Sequence, residues 1–211
     1  MGLRSLRSGY RGAVSSAVAS SAALLLAGAP GPDAASAQPT TPSFTYSHDP
    51  ADLIARIRIR AGEIRGPQSR TASVYGDGRV VVEFPASFKK PGRHETSLDP
   101  AELDDLVTTL VVARLPEFDA DLVRAAVGAE QATRADVAHV ADADVVEIEL
   151  YLDAYQQDPA VPSATLEKYV TWRALSQDTA RFPGVTALAD LVTARDALAL
   201  LMARSDLEAV P

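Results

Sequence analysis

The chain contains no cysteine. This excludes disulfide staples, a thiol nucleophile, a thiolate metal site and a lipid anchor on cysteine, so stability has to come from burial and hydrogen bonding. Histidine is scarce as well. His48, His94 and His139 are the only three, and no two of them stand at ligand spacing on one helix or strand. They read as surface side chains. Basic residues are in deficit, 20 Lys and Arg against 28 Asp and Glu for a net charge of −8. Such a surface repels nucleic acid and anionic membranes, so neither is expected as a partner. The signatures of common chemistries are missing too: no G-x-S-x-G elbow, no H-E-x-x-H zinc helix, no phosphate-binding glycine loop and no dinucleotide fingerprint. Asp136, Asp142, Asp144 and Glu147 offer oxygen ligands of the kind calcium takes. Their segment lacks the glycine and the alternating ligands of a dedicated loop, and reads as a solvated acidic stretch. No catalytic residue, cofactor or metal is expected.

Long hydrophobic runs are also rare, and the one present is N-terminal. Arg4, Arg7 and Arg11 form a basic lead to an uncharged stretch, Ala13 to Ala29, that peaks at Leu24, Leu25 and Leu26. Ala35-Ser36-Ala37 then supplies a small-x-small cleavage site, so residues 1–37 read as a cleavable signal peptide of the general export route. The stretch is short for a bilayer span and is diluted by Ser15, Ser16, Ser20 and Ser21, which argues against a retained anchor. Cleavage would remove three arginines and one aspartate and leave 174 residues with 17 basic and 27 acidic side chains. The expected location is extracytoplasmic, periplasmic or secreted, with no stable membrane span.

Residues 38–51 read as a flexible linker, because Pro39, Thr40, Thr41, Pro42 and Ser43 have little to bury. A single domain over 52–211 follows. Its first strand is Ala55-Arg56-Ile57-Arg58-Ile59-Arg60-Ala61, where period-two alternation sends the isoleucines to one face and the arginines to the other. A hairpin spans residues 70–84 around Gly76-Asp77-Gly78, whose Asp-Gly pair suits a tight turn. Pro85 to Arg93 reads as a loop bearing Lys89, Lys90 and Arg93, a local basic patch. Leu98-Asp99-Pro100-Ala101-Glu102-Leu103 opens a helix with a cap, a proline at the first position and a capping-box glutamate, and the helix should end near Arg114-Leu115-Pro116. A shorter helix over 120–129 would pack Leu122, Val123 and Val127. Val145 to Leu152 alternates again, with Glu147, Glu149 and Tyr151 outward, and should pair with Thr165 to Leu175 across a loop at 153–164. Leu166, Val170 and Trp172 together with Tyr169 suggest that both faces of this second arm are partly buried, Trp172 in the core. A last amphipathic helix covers 185–203. The order β-ββ-α-α-ββ-α predicts an α+β domain, an antiparallel sheet of two hairpins with helices on one face. If the first strand and Val145 to Leu152 are neighbours, the arginine row and Glu147 and Glu149 would pair across the ladder.

The Ile-Arg-Ile-Arg strand, the Gly76-Asp77-Gly78-Arg79-Val80 hairpin and the helix opened by Asp99-Pro100-Ala101-Glu102-Leu103 together resemble the emfourin-like domains, which are related to proteinaceous inhibitors of thermolysin-like metalloproteases. The resemblance covers the order of elements over about 54–203; the segments 116–144 and 153–164 are long for that pattern. It implies an exported, non-enzymatic protein-binding module, inhibitor-like toward a protease, and carries no inhibitory residue across. An envelope-associated structural domain is the alternative, and a hydrolase using His94 or His139 with a carboxylate comes third. Since loops on rigid scaffolds carry most binding, three are candidates: the Gly76-Asp77-Gly78 tip, the 89–94 loop and the 155–162 loop. The candidate partner-binding residues are Asp77, Lys89, Lys90, Arg93 and Tyr155.

Overall fold

Alternation in the Ile-Arg strand and in the Val145 stretch builds the centre of one antiparallel sheet. The computed structural model describes residues 41–62, 68–134 and 142–210. In chain order its elements are β1 (Ser43–Thr45), β2 (Leu53–Arg60), β3 (Ser69–Tyr75), β4 (Arg79–Phe84), β5 (Gly92–Ser97), α1 (Pro100–Val112) and α2 (Ala120–Ala132). Then follow β6 (Val145–Gln156), β7 (Ala164–Arg173), α3 (Leu175–Arg181), α4 (Thr186–Leu200), a 3-10 turn (Leu201–Ala203) and β8 (Glu208–Ala209). The class is α+β. The signal-peptide segment, His139 and Asp136 lie outside the described residues.

Every strand pairing is antiparallel. β7 runs along one edge of β6, while the other edge of β6 is shared, by β2 at 145–150 and by β1 at 154–156. Beyond β2 the sheet continues through β3, β4 and β5 to β8. The alternation places Ala55, Ile57 and Ile59 beside Val146, Ile148, Leu150, Ala72, Val74, Val80 and Val82, all buried on one face. Leu103, Leu106, Val107 and Leu110 of α1 and Leu188, Leu191 and Leu198 of α4 join that face in one core. α1 starts where the sequence signals it: Asp99 accepts from the Glu102 amide at 2.8 Å and Glu102 accepts from the Asp99 amide at 3.0 Å, a complete capping box.

The opposite face carries the charges. Arg56 stands across from Glu149 and Arg58 across from Glu147, so the two strands are neighbours in the register that pairs opposite signs. Ion pairs form at 3.4 Å (Arg56–Glu149), 3.5 Å (Arg58–Glu147) and 2.6 Å (Arg60–Glu147).

Several expectations need correction. Residues 43–46 of the presumed linker are not a solvated tether, since Phe44 pairs with Tyr155 in the sheet and Tyr46 is buried, its hydroxyl donating to Asp104. The expected order omitted β1, β5, α3 and β8. β1 and β8 are too short to show a period, and β5 (Gly-Arg-His-Glu-Thr-Ser) has no apolar alternation. Arg93 therefore belongs to a strand rather than to a loop. The second hairpin is longer than expected, leaving only 157–163 as its loop, and Leu175 starts α3. The outer side of β7 is open rather than partly buried: Tyr169 is 61 % exposed, while Val170 and Trp172 face the core. In α2, Val123 is buried and Leu122 points away, 69 % exposed, because a helix lying against the single edge strand β7 buries only a narrow stripe.

Candidate functional site

The five residues singled out from the sequence are not brought together. Asp77 sits at the β3–β4 turn, and Lys89 and Lys90 sit beyond the other end of β4, both exposed. The turn itself is walled in. A Cβ on Gly76 would lie 2.5 Å from the carbonyl oxygens of Ser47 and Asp49, Gly78 has a φ of +85°, and its carbonyl accepts from the Leu98 amide at 2.8 Å. Asp77 turns its carboxylate back on the Arg79 amide at 3.0 Å. Arg93 projects from β5 and is held by Glu95 at 2.6 Å. His48 is exposed beside the Tyr46 ring.

His94 is not the surface histidine its context suggests. Its register opposite Val82 turns it to the helix-covered face, where it is 5 % exposed, edge-on to the Phe84 ring, with an Nε2 that has no hydrogen-bond partner among the described residues.

Tyr155 is different. Strict alternation from Tyr151 would send it outward with Asp153, but the ladder between β6 and β7 shifts register between Leu152 and Tyr155. Such a bulge re-aims the residues beyond it. Tyr155 thereby packs against the core, and its hydroxyl donates to the Glu117 carboxylate. Glu117 lies in the corner between α1 and α2. Its second oxygen accepts from Nε of Arg114 at 3.3 Å, so tyrosine, glutamate and arginine form a chain running from the sheet to the surface.

The corner is shaped by the way α1 ends. The Leu115 amide donates to the Leu110 carbonyl and the Arg114 amide to the Val111 carbonyl, which is the Schellman arrangement. Its left-handed position normally holds glycine, but here it is Arg114, with a φ of 54°. For a side chain with a Cβ this conformation costs about 1–2 kcal/mol. The buried Leu115 and the following Pro116 complete the stop. α2 then opens on Asp119, whose carboxylate accepts from the Asp121 amide at 2.9 Å and the Leu122 amide at 3.0 Å. The amides of Leu122 and Asp121 hold the Asp119 carboxyl below the usual carboxylate range.

Two clefts meet along this corner and share Arg114 and Glu117. The larger, about 650 Å³, runs from Val111 and Val112 to Gln157, Asp158 and the Thr41-Pro42 stretch that leads into β1. The smaller, about 180 Å³, lies between Leu122, Asp119 and the start of α4 at Thr186, Ala187 and Asp190. Val112, 67 % exposed, opens into the first and Leu122 into the second. Of the three loops named from the sequence, the one after Tyr155 reaches this place.

Sequence reasoning missed Val112, Arg114, Glu117 and Leu122. The sequence signals the stop near Arg114-Leu115-Pro116, but an arginine there gives no sign of the left-handed conformation that sets the corner. Among the described residues no cluster of three or more histidine, aspartate or glutamate side chains is placed to hold a metal ion, and no helix is long and apolar enough to cross a membrane. Comparison with protein-family models gives no match, and comparison with curated proteins gives none either.

Proposed function

We propose that the chain is an exported, non-enzymatic protein-binding module that holds its partner at the α1–α2 corner and acts on it as an inhibitor-like ligand, the partner being a metalloprotease. The observation that carries the binding reading is the pair of exposed aliphatic side chains, Val112 and Leu122, on either side of the Arg114–Glu117 bridge. Interfaces draw most of their energy from a few anchors, with arginine and tyrosine prominent among them. Withdrawing two such aliphatic side chains from water would supply about 1.5–3 kcal/mol each. Ordering costs would be small, because α1 is pinned by its capping box and by α4, and Glu117 is held from below by Tyr155. Export rests on the basic lead, apolar stretch and Ala35-Ser36-Ala37 site of residues 1–37. The choice of a metalloprotease rests on the resemblance to emfourin-like domains.

The test is inhibition of a thermolysin-type metalloprotease by the purified chain. Equimolar inhibition, lost when Leu122→Asp places a charge in the smaller cleft, is expected. Full protease activity at saturating chain would remove the protease as partner.

A further inference from the structure

Each of the two clefts joins one exposed aliphatic side chain to one carboxylate without a basic partner among the described residues. Val112 shares the larger cleft with Asp158, and Leu122 shares the smaller with Asp190. The Asp158 carboxylate accepts from the Ala160 amide at 2.8 Å, its backbone carbonyl accepts from the Val161 amide at 2.8 Å, and neither Asp158 nor Asp190 makes an ion pair among the described residues. The cation in both linings is Arg114, and its charge is met by Glu117 at 3.3 Å. Asp119 adds a further negative charge to the smaller cleft, with Lys168 of β7 acting on it from the sheet side. The two linings therefore hold Glu117, Asp119, Asp158 and Asp190 against one arginine, on a chain that is itself acidic.

We infer that the corner takes a basic protein segment, with aliphatic side chains seated against Val112 and Leu122 and lysine or arginine side chains paired with Asp158 and Asp190. This rests on the binding reading given above and specifies the chemistry of the partner at that surface. An acidic segment would meet like charge in both clefts, and like charges brought together across an interface select against a partner. An uncharged apolar segment would satisfy the two aliphatic side chains but leave both carboxylates facing it, each losing water without gaining a partner. Arg114 fits the same account. It lines both clefts, and its charge is already met by Glu117, so it does not offset Asp158 or Asp190.

The test uses two short synthetic peptides that share the same leucines, one with lysines and one with glutamates between them, titrated into the purified chain. The readouts are fluorescence anisotropy and the NMR shifts of the Val112 and Leu122 methyl groups. The lysine peptide is expected to bind and move both methyls, and the glutamate peptide to do neither. Because any basic peptide is attracted to an acidic protein, two double variants of equal charge change are compared. Asp158→Asn with Asp190→Asn should weaken the lysine peptide about tenfold, while Asp105→Asn with Glu208→Gln should leave it nearly unchanged. Equal weakening in both double variants, equal binding of both peptides, or unmoved methyls would overturn the inference. A natural partner that is retained by the chain and lost with Leu122→Asp, combined with no preference for the lysine peptide, would leave the corner as the binding surface and remove only its basic specificity. Loss of both would remove the binding reading itself.

Discussion

The hydroxyl of Tyr155 donates to the carboxylate of Glu117, tying the far end of β6 to the corner between α1 and α2. Through this contact a shift in sheet register reaches the surface, because Glu117 in turn carries Arg114. Tyr155→Phe keeps the ring packing and deletes the bond to a partly buried carboxylate. The expected loss is about 1–2 kcal/mol in urea denaturation. A larger effect is expected on partner binding, since Glu117 is then free to leave Arg114. Unchanged stability and unchanged binding would show that the contact positions nothing.

Arg114→Gly separates stability from binding. Glycine removes the cost of about 1–2 kcal/mol for a left-handed residue with a Cβ. The exposed ion pair it gives up is worth about 0–1 kcal/mol. The variant should therefore be at least as stable as the parent by urea midpoint while binding the partner more weakly. A destabilised variant would mean that the arginine is kept for folding.

On the other face of the sheet, Glu147 forms ion pairs with Arg58 at 3.5 Å and with Arg60 at 2.6 Å. Glu147→Gln leaves two arginines of one strand face without their shared counter-charge. The expected cost is about 1 kcal/mol, shrinking in high salt as the pair and the repulsion are both screened. Measurement of urea midpoints at low and high salt checks it, and a cost independent of salt would contradict the electrostatic account.

Burial, reinforced by the Asp104 carboxylate, pushes the Tyr46 hydroxyl from 10.0 up to about 12. A group whose folded value is raised contributes stability that is complete below its unfolded value and is lost as pH rises through the folded one. Thermal midpoints should therefore fall between pH 10 and 12 more steeply in the parent than in Tyr46→Phe, which has no proton to lose there. Parallel curves would show that the tyrosine does not couple to folding.

His94 buries a ring nitrogen that has no hydrogen-bond partner among the described residues. Replacing a buried, unsatisfied polar side chain by an apolar one of similar size removes a desolvation penalty of about 1–3 kcal/mol. His94→Leu is expected to raise the thermal midpoint without loss of partner binding. A lower midpoint would indicate that the ring makes contacts worth more than the penalty.

The sheet was legible where its residues alternate strongly, as in Arg56–Ile57–Arg58 and Val146–Glu147–Ile148, and the pairing of Arg58 with Glu147 follows from matching charge rows once the strands are neighbours. The start of α1 was legible because Asp99, Pro100 and Glu102 each act within a few residues. The corner was not. Tyr155 faces the helices through a bulge, Arg114 occupies a position whose usual mark is glycine, and Leu122 is exposed because α2 packs mainly against the edge strand β7. The cap at Arg114, though local, is closed by a residue type that does not advertise it, while the bulge and the packing of α2 depend on contacts between segments far apart in the chain. The same holds for β1, three residues long and set by the edge of β6 that β2 leaves open.

The most direct measurement is affinity capture from the exported proteins of the source organism with two baits side by side, the parent chain and a Val112→Asp, Leu122→Asp variant shown to be folded by circular dichroism. A stoichiometric protein held by the parent and absent from the variant is the predicted result. The same protein retained by both baits, or none retained by the parent at micromolar concentration, would contradict a binding surface at the α1–α2 corner.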